Sequence, residues 1–130
     1  MEITTYAITR TVDAPFAETV DRVTASLAAE GFGVLTTIDV KATLHAKLGV
    51  EVGEYTILGA CNPNLAHRGL GIEPDLGVLL PCNVIVRSDG QTTVVSAMEP
   101  LAAMRLAANP ELEPLAAEAR ERIERAVSAI

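Results

Sequence analysis

Aromatic residues are almost missing from this 130-residue sequence, which has two Phe, two Tyr and no Trp. Its core must be built from aliphatic side chains, and it has no rings to interleave with basic residues as a stacking platform for single-stranded nucleic acid. Basic residues are scarce as well, ten against seventeen acidic ones, for a net charge of −7 and a pI near 4.7. Nucleic-acid affinity comes mainly from Lys and Arg facing phosphates, so no nucleic-acid partner is expected. Two cysteines are too few for a disulfide framework. The opening "MEITTYAITR" has neither a basic n-region nor an apolar h-region, so the expected location is a reducing cytoplasm with both thiols free. No apolar run reaches the eighteen or so residues of a membrane span. The longest, "GVLLPCNVIV", is short and interrupted by Pro and Asn. Walker loops, GxGxxG, a Ser-centred elbow, CxxC and HxxxH are all missing.

What is present is aliphatic. Hydrophobic residues make up 49% and mean hydropathy is +0.31. The length suits one domain, residues 1–130, and the aliphatic excess over what a small core buries favours a homo-oligomer. Residues 3–12 alternate as a strand, and "DAP" follows, with Asp13 suited to cap a helix that places Phe16, Val20, Val23 and Leu27 on one side up to Gly31. "FGVLTTIDV" is a second strand and "KATLHAKLG" a short helix capped by Asp39. "EYTILGAC" is a third strand, and residues 62–77 form a helical turn and loop. The near-continuous "VLLPCNVIVR" predicts a central strand, joined through "SDG" to "QTTVVSAM" as a hairpin. A short helix follows "EP" and ends at Asn109. A long one from Glu111 places Leu112, Leu115, Ala119, Ile123, Ala126 and Ile130 along a stripe, with Glu118–Arg122 and Glu121–Arg125 at i,i+4. This order predicts an α+β domain with a mostly antiparallel sheet covered by long helices.

One repetition stands out. Both cysteines, Cys61 and Cys82, are followed by Asn, which uses two of the four asparagines: "LGACNP" at 58–63 and "LPCNV" at 80–84. These two motifs, the Ala-containing turn between them, the "GF" after the first helix and "MEP" at 98–100 resemble the domain-of-unknown-function family 302 over nearly the whole chain. The resemblance implies a β-α-β4-α arrangement related to the TATA-binding-protein-like fold, and a homodimer. It implies no reaction, and the acidic charge opposes carrying DNA binding over with the fold.

Three readings of the thiols compete. In the first, both cysteines are small packing groups, Asn62 caps or turns the chain with Pro63, and Asn83 faces the opposite side of its strand. In the second, Cys61, Asn62, Cys82, Asn83 and His67 gather into a ligand site, the two thiols with His67 suiting a soft metal such as Cu(I) or Zn, or one of them suiting haem. In the third, Cys61 is a reactive thiol activated by a following helix N-terminus and by Arg68 or Lys41, for a thiol-dependent enzyme or redox pair. The reading adopted from the sequence is a cytoplasmic homodimeric binding or sensor domain for a small ligand or metal, with the enzyme and a purely structural dimerisation domain as its rivals.

Overall fold

The computed structural model describes all 130 residues. Eleven strands and helices alternate along the chain: β1 (Glu2–Ile3), β2 (Ala7–Val12), α1 (Phe16–Ala29), β3 (Gly33–Asp39), α2 (Val40–Leu48), β4 (Tyr55–Cys61), α3 (Pro63–Ile72), β5 (Cys82–Asp89), β6 (Thr92–Met98), α4 (Pro100–Arg105) and α5 (Glu113–Ser128). All six strands form one antiparallel sheet in the order β1-β2-β6-β5-β4-β3. This is the α+β single-domain class expected from the element order.

Helices α1 and α5 cover one face of the sheet. Leu27 and Val23 of α1 meet Ile123, Ala126 and Val127 of α5 above Ile8, Leu58, Val84, Val86 and Val95 of the sheet. Each large side chain removed from water there stabilises the fold by about 1.5–3 kcal/mol. The end of α1 follows from one glycine. Gly31 adopts φ +83°, its N–H donates to the Ala28 carbonyl at 3.0 Å, and the Phe32 N–H donates to the Leu27 carbonyl at 2.9 Å. That pattern reverses the chain and drops Phe32 into the core beside Leu27. Glu30, next to this turn, clasps α5: its carbonyl accepts from Arg122 at 3.2 Å and its carboxylate meets Arg125 at 2.9 Å.

Several local expectations change. The first strand divides into β1 and β2 around a turn at Thr4–Tyr6, where the Thr4 N–H donates to the Ala7 carbonyl. Asp13 does not cap α1; Pro15 occupies that position, and its carbonyl accepts from the Thr19 hydroxyl at 2.9 Å. Residues 62–77 are more helical than expected, with the three turns of α3 followed by a 3-10 segment at Pro74–Leu79. Strand β5 begins only at Cys82, because Val78–Pro81 belongs to that segment and to the cis Leu80–Pro81 link that leaves it. Arg125 pairs with Glu30 rather than with Glu121, whereas Glu118–Arg122 forms as spaced, at 3.3 Å.

Candidate functional site

Cys61 ends β4 and Cys82 begins β5. These strands are antiparallel neighbours with Ala60 opposite Cys82, so both thiols lie at one end of the sheet. Their surroundings differ. Cys82 alternates with Val84 and Val86 toward the helices and belongs to the core. Burial pushes its thiol up to about 11, and the nearby Cys61 sulfur adds to the rise. Cys61 is half-buried, and both cysteines are free. Asn62 is buried as the N-cap of α3, its Oδ1 accepting from the Leu65 N–H at 3.1 Å with Pro63 in the first turn. Its Nδ2 packs so closely on Gly31 that a Cβ there would come within 2.9 Å.

Cys61, Asn62 and Cys82 therefore do come together, around an apolar cavity of about 40 Å³ walled by Phe32, Leu65, Leu76 and Leu115. That is room for a water molecule or two and not for a porphyrin. The other two expected members lie elsewhere. His67 is exposed on α3, and Asn83 is exposed on the opposite face of the sheet, since side chains alternate along β5. The two-thiol, one-imidazole set is not assembled, and no three His, Cys, Asp or Glu side chains are placed to hold a metal ion. The cations expected near Cys61 are engaged with acids: Arg68 with Glu118 at 3.7 Å and Lys41 with Glu54 at 3.4 Å. A buried thiol held protonated is a poor nucleophile and a reluctant metal ligand, so the geometry of Cys82 is that of a packing group.

Asn83 leads to a larger feature. The face of the sheet away from α1 and α5 has no helix packed across it, and it forms the floor of a groove of about 960 Å³. Asn83, Ile85 and Arg87 of β5, Val94, Ser96 and Met98 of β6, and Tyr55 of β4 line the floor. The Val78–Pro81 link and α4, through Ala102, Ala103 and Leu106, form the sides. Thr9 and Ser96 satisfy each other across β2 and β6 at 2.7 Å. The side chains of Asn83 and Arg87 have no hydrogen-bond or ion-pair partner within the chain. Glu99 lies at the groove margin, buried, with its carboxylate accepting from Leu101 and Ala102 N–H at 3.0 Å each and forming an ion pair with Arg120 at 3.5 Å, too poorly aligned for a hydrogen bond.

Sequence reasoning passed over Arg87 and Glu99. The period-2 set Asn83, Ile85, Arg87 is legible in "CNVIVR", but the near-continuous apolar run draws attention to a central strand and not to the face that these three share. Glu99 reads in the sequence only as the residue that precedes a short helix, although an acidic residue before Pro and an apolar run is an N-cap signal, and it does cap α4.

A β-bulge shapes the floor at β4. Val34 pairs with Ala60 and Thr36 with Gly59, so Leu35 is extra and Thr36 turns onto the groove side above Gly59. A Cβ at Gly59 would overlap the Thr36 hydroxyl and lie 2.9 Å from Pro81 Cγ, so glycine is required by close approach there.

Comparison with known proteins bears on family and fold. No curated protein matches the chain. A crystal structure of an uncharacterized conserved DUF302 protein from Bacillus stearothermophilus is similar over 95% of this chain and 96% of its own, at 31% identity and a TM-score of 0.88. Residues 8–130 match the family model described as domain of unknown function DUF302. With the Cys-Asn motifs at the joined ends of β4 and β5 and the match running from β2 to the C-terminus, the chain belongs to the DUF302 family.

Proposed function

We propose that this protein is a small-ligand binding domain whose site is the groove on the helix-free face of the sheet. The observation that carries the reading is the groove itself: about 960 Å³, mainly apolar, with polar side chains, Asn83 and Arg87 among them, left without partners inside it. Ligand sites are typically concave, apolar and supplied with a few convergent polar groups. The binding-module reading from the sequence is kept, and its location moves from the thiols to the other face of the strand that carries Cys82. The test uses N-phenyl-1-naphthylamine, a neutral apolar fluorophore. Its emission is expected to rise on binding the wild type and to stay low with Ser96→Trp, which fills the floor. Equal emission with both proteins would remove the groove as the site.

A second reading, that the domain acts as a homodimer, is supported by a separate region. From Gly33 to Tyr55 no residue is buried, and α2 buries nothing at all. This arm exposes Leu35 (68%), Ile38, Leu48 (69%), Val50 and Val52. An exposed apolar arm that nothing within the chain covers suits burial against a second copy. Sedimentation is expected to give twice the 13.7 kDa chain mass, reverting to monomer in a Leu35→Glu/Leu48→Glu variant. A wild type that sediments as a monomer at 100 µM would end this reading.

A further inference from the structure

Of the eight arginines, seven have a partner: Arg10 bonds the carbonyls of Val127 and Ser128, and Arg22, Arg68, Arg105, Arg120, Arg122 and Arg125 each form an ion pair with a glutamate. Arg87 reaches none, although it is half-buried in the floor of the groove with Tyr55 and Val94 directly opposite on the flanking strands. A guanidinium offers five donors in a planar fork, and none of those of Arg87 is sealed off from the groove, so an acceptor entering there can reach them. The most economical acceptor is one that arrives with a ligand.

Resting on the reading of the groove as a ligand site, we infer that Arg87 anchors the carboxylate of an elongated apolar monoacid. The fork matches a carboxylate in two parallel hydrogen bonds. Both lysines lie on α2, outside the groove, so a single cation there faces a single negative charge, unlike the clustered cations that polyphosphates require. From Arg87 the floor runs through Ile85 to Asn83, four residues or about 13 Å at the rise of an antiparallel strand. Ile85, Met98, Leu79 and Leu80 border that path and suit a hydrocarbon body. The direction follows from where the cation stands: Arg87 is at one end of the floor, and the other end, beyond Met98, holds the carboxylate of Glu99 and offers an acid no cation. The overall −7 charge opposes an anion only at long range, because physiological salt screens beyond about 8 Å.

The experiment is displacement of N-phenyl-1-naphthylamine from the full chain at pH 7.5 by decanoate and, separately, by decan-1-ol, whose extended lengths are comparable to the floor. It is repeated with Arg87→Met and Arg87→Lys. The chain has no Trp, and Tyr6 and Tyr55 both line the groove, so tyrosine emission gives a second, label-free readout of occupancy. In the wild type decanoate should act at a concentration about tenfold or more below decanol, and with Arg87→Met the two should fall within about threefold, as loss of a charge-assisted pair requires. Decanol should act equally on wild type and Arg87→Met, which shows that the variant keeps its groove, and Arg87→Lys should retain part of the preference. Equal potency of acid and alcohol in the wild type, or an acid preference that survives Arg87→Met, overturns the inference and leaves the groove standing. A fluorophore that never binds, with tyrosine emission unmoved by either compound, overturns both.

Discussion

Replacing Cys82 with Ala is expected to weaken the protein at neutral pH and to strengthen it, relative to wild type, above about pH 10. Cys82 packs in the core beside the small cavity at the sheet end, so removing its sulfur enlarges an existing void and should cost about 1 kcal/mol. The thiol also carries a pH-dependent contribution. Burial raises it from its ordinary 9.0 to about 11, so below pH 9 it is neutral in both folded and unfolded chains and the stability it provides is complete. Between those values the unfolded chain gives up its proton first and binds fewer protons than the folded one, so stability falls as pH rises. A tenfold change in proton affinity is worth about 1.4 kcal/mol, which makes the loss roughly 1 kcal/mol at pH 10 and roughly 2 kcal/mol at pH 11. The alanine variant has no such term, so the two stability curves should cross near pH 10. Urea unfolding of both proteins at pH 8, 9, 10 and 11 reads this as a difference, in which the tyrosines and lysines common to both cancel. A difference that stays flat across that range would refute the burial argument and would mean that the Cys82 sulfur is open to solvent.

The two Cys-Asn dipeptides should respond differently when their asparagines are truncated. Asn62→Ala removes a buried N-cap and should cost about 1–2 kcal/mol, whereas Asn83→Ala, exposed and without a partner, should fall within about 0.5 kcal/mol of wild type by urea unfolding. Gly59→Ala places a methyl group against Thr36 and Pro81 and should cost about 1–3 kcal/mol. Adding Thr36→Ala should recover about 1 kcal/mol, and a double-mutant cycle with no coupling would mean that the sheet shifts to absorb the methyl.

The fold was readable where the signal is local. Gly31 and Gly49 end helices with φ of +83° and +67°, Asp39 caps α2 through the Ala42 N–H, and Gly90 turns the β5–β6 hairpin with φ +62°. Each choice is fixed by one residue's own backbone or side chain acting within a few positions. The stripe Leu112, Leu115, Ala119, Ile123, Ala126 was legible for the same reason, since helical period alone places those residues on one side. "VLLPCNVIVR" misled because apolar runs of that length do not carry a period: its first four residues pack as a 3-10 segment and link, and only the rest enters the sheet.

The site divides along the same line. By itself the sequence determined that Cys61 and Asn62 lie where a strand gives way to a turn, that Asn62 and Pro63 can start a helix, and that the chain belongs with a particular α+β family, whereas it set Cys82 inside a strand that the structure begins there. Those are matters of composition, spacing and motif. Only the tertiary structure decided that Cys82 is buried and kept protonated, that His67 and Asn83 stand apart from the thiols, and that Arg87 is left alone among eight arginines. The reason is that a partner is a long-range property. Arg125 is spaced for Glu121 yet bonds Glu30, ninety-five positions away, while Arg87 faces a groove assembled from four strands, a linker and α4. Whether a charge is satisfied depends on which elements the sheet order brings beside it, and that order follows from burying the aliphatic faces of α1, α5 and the sheet together, not from any residue near Arg87 in the chain.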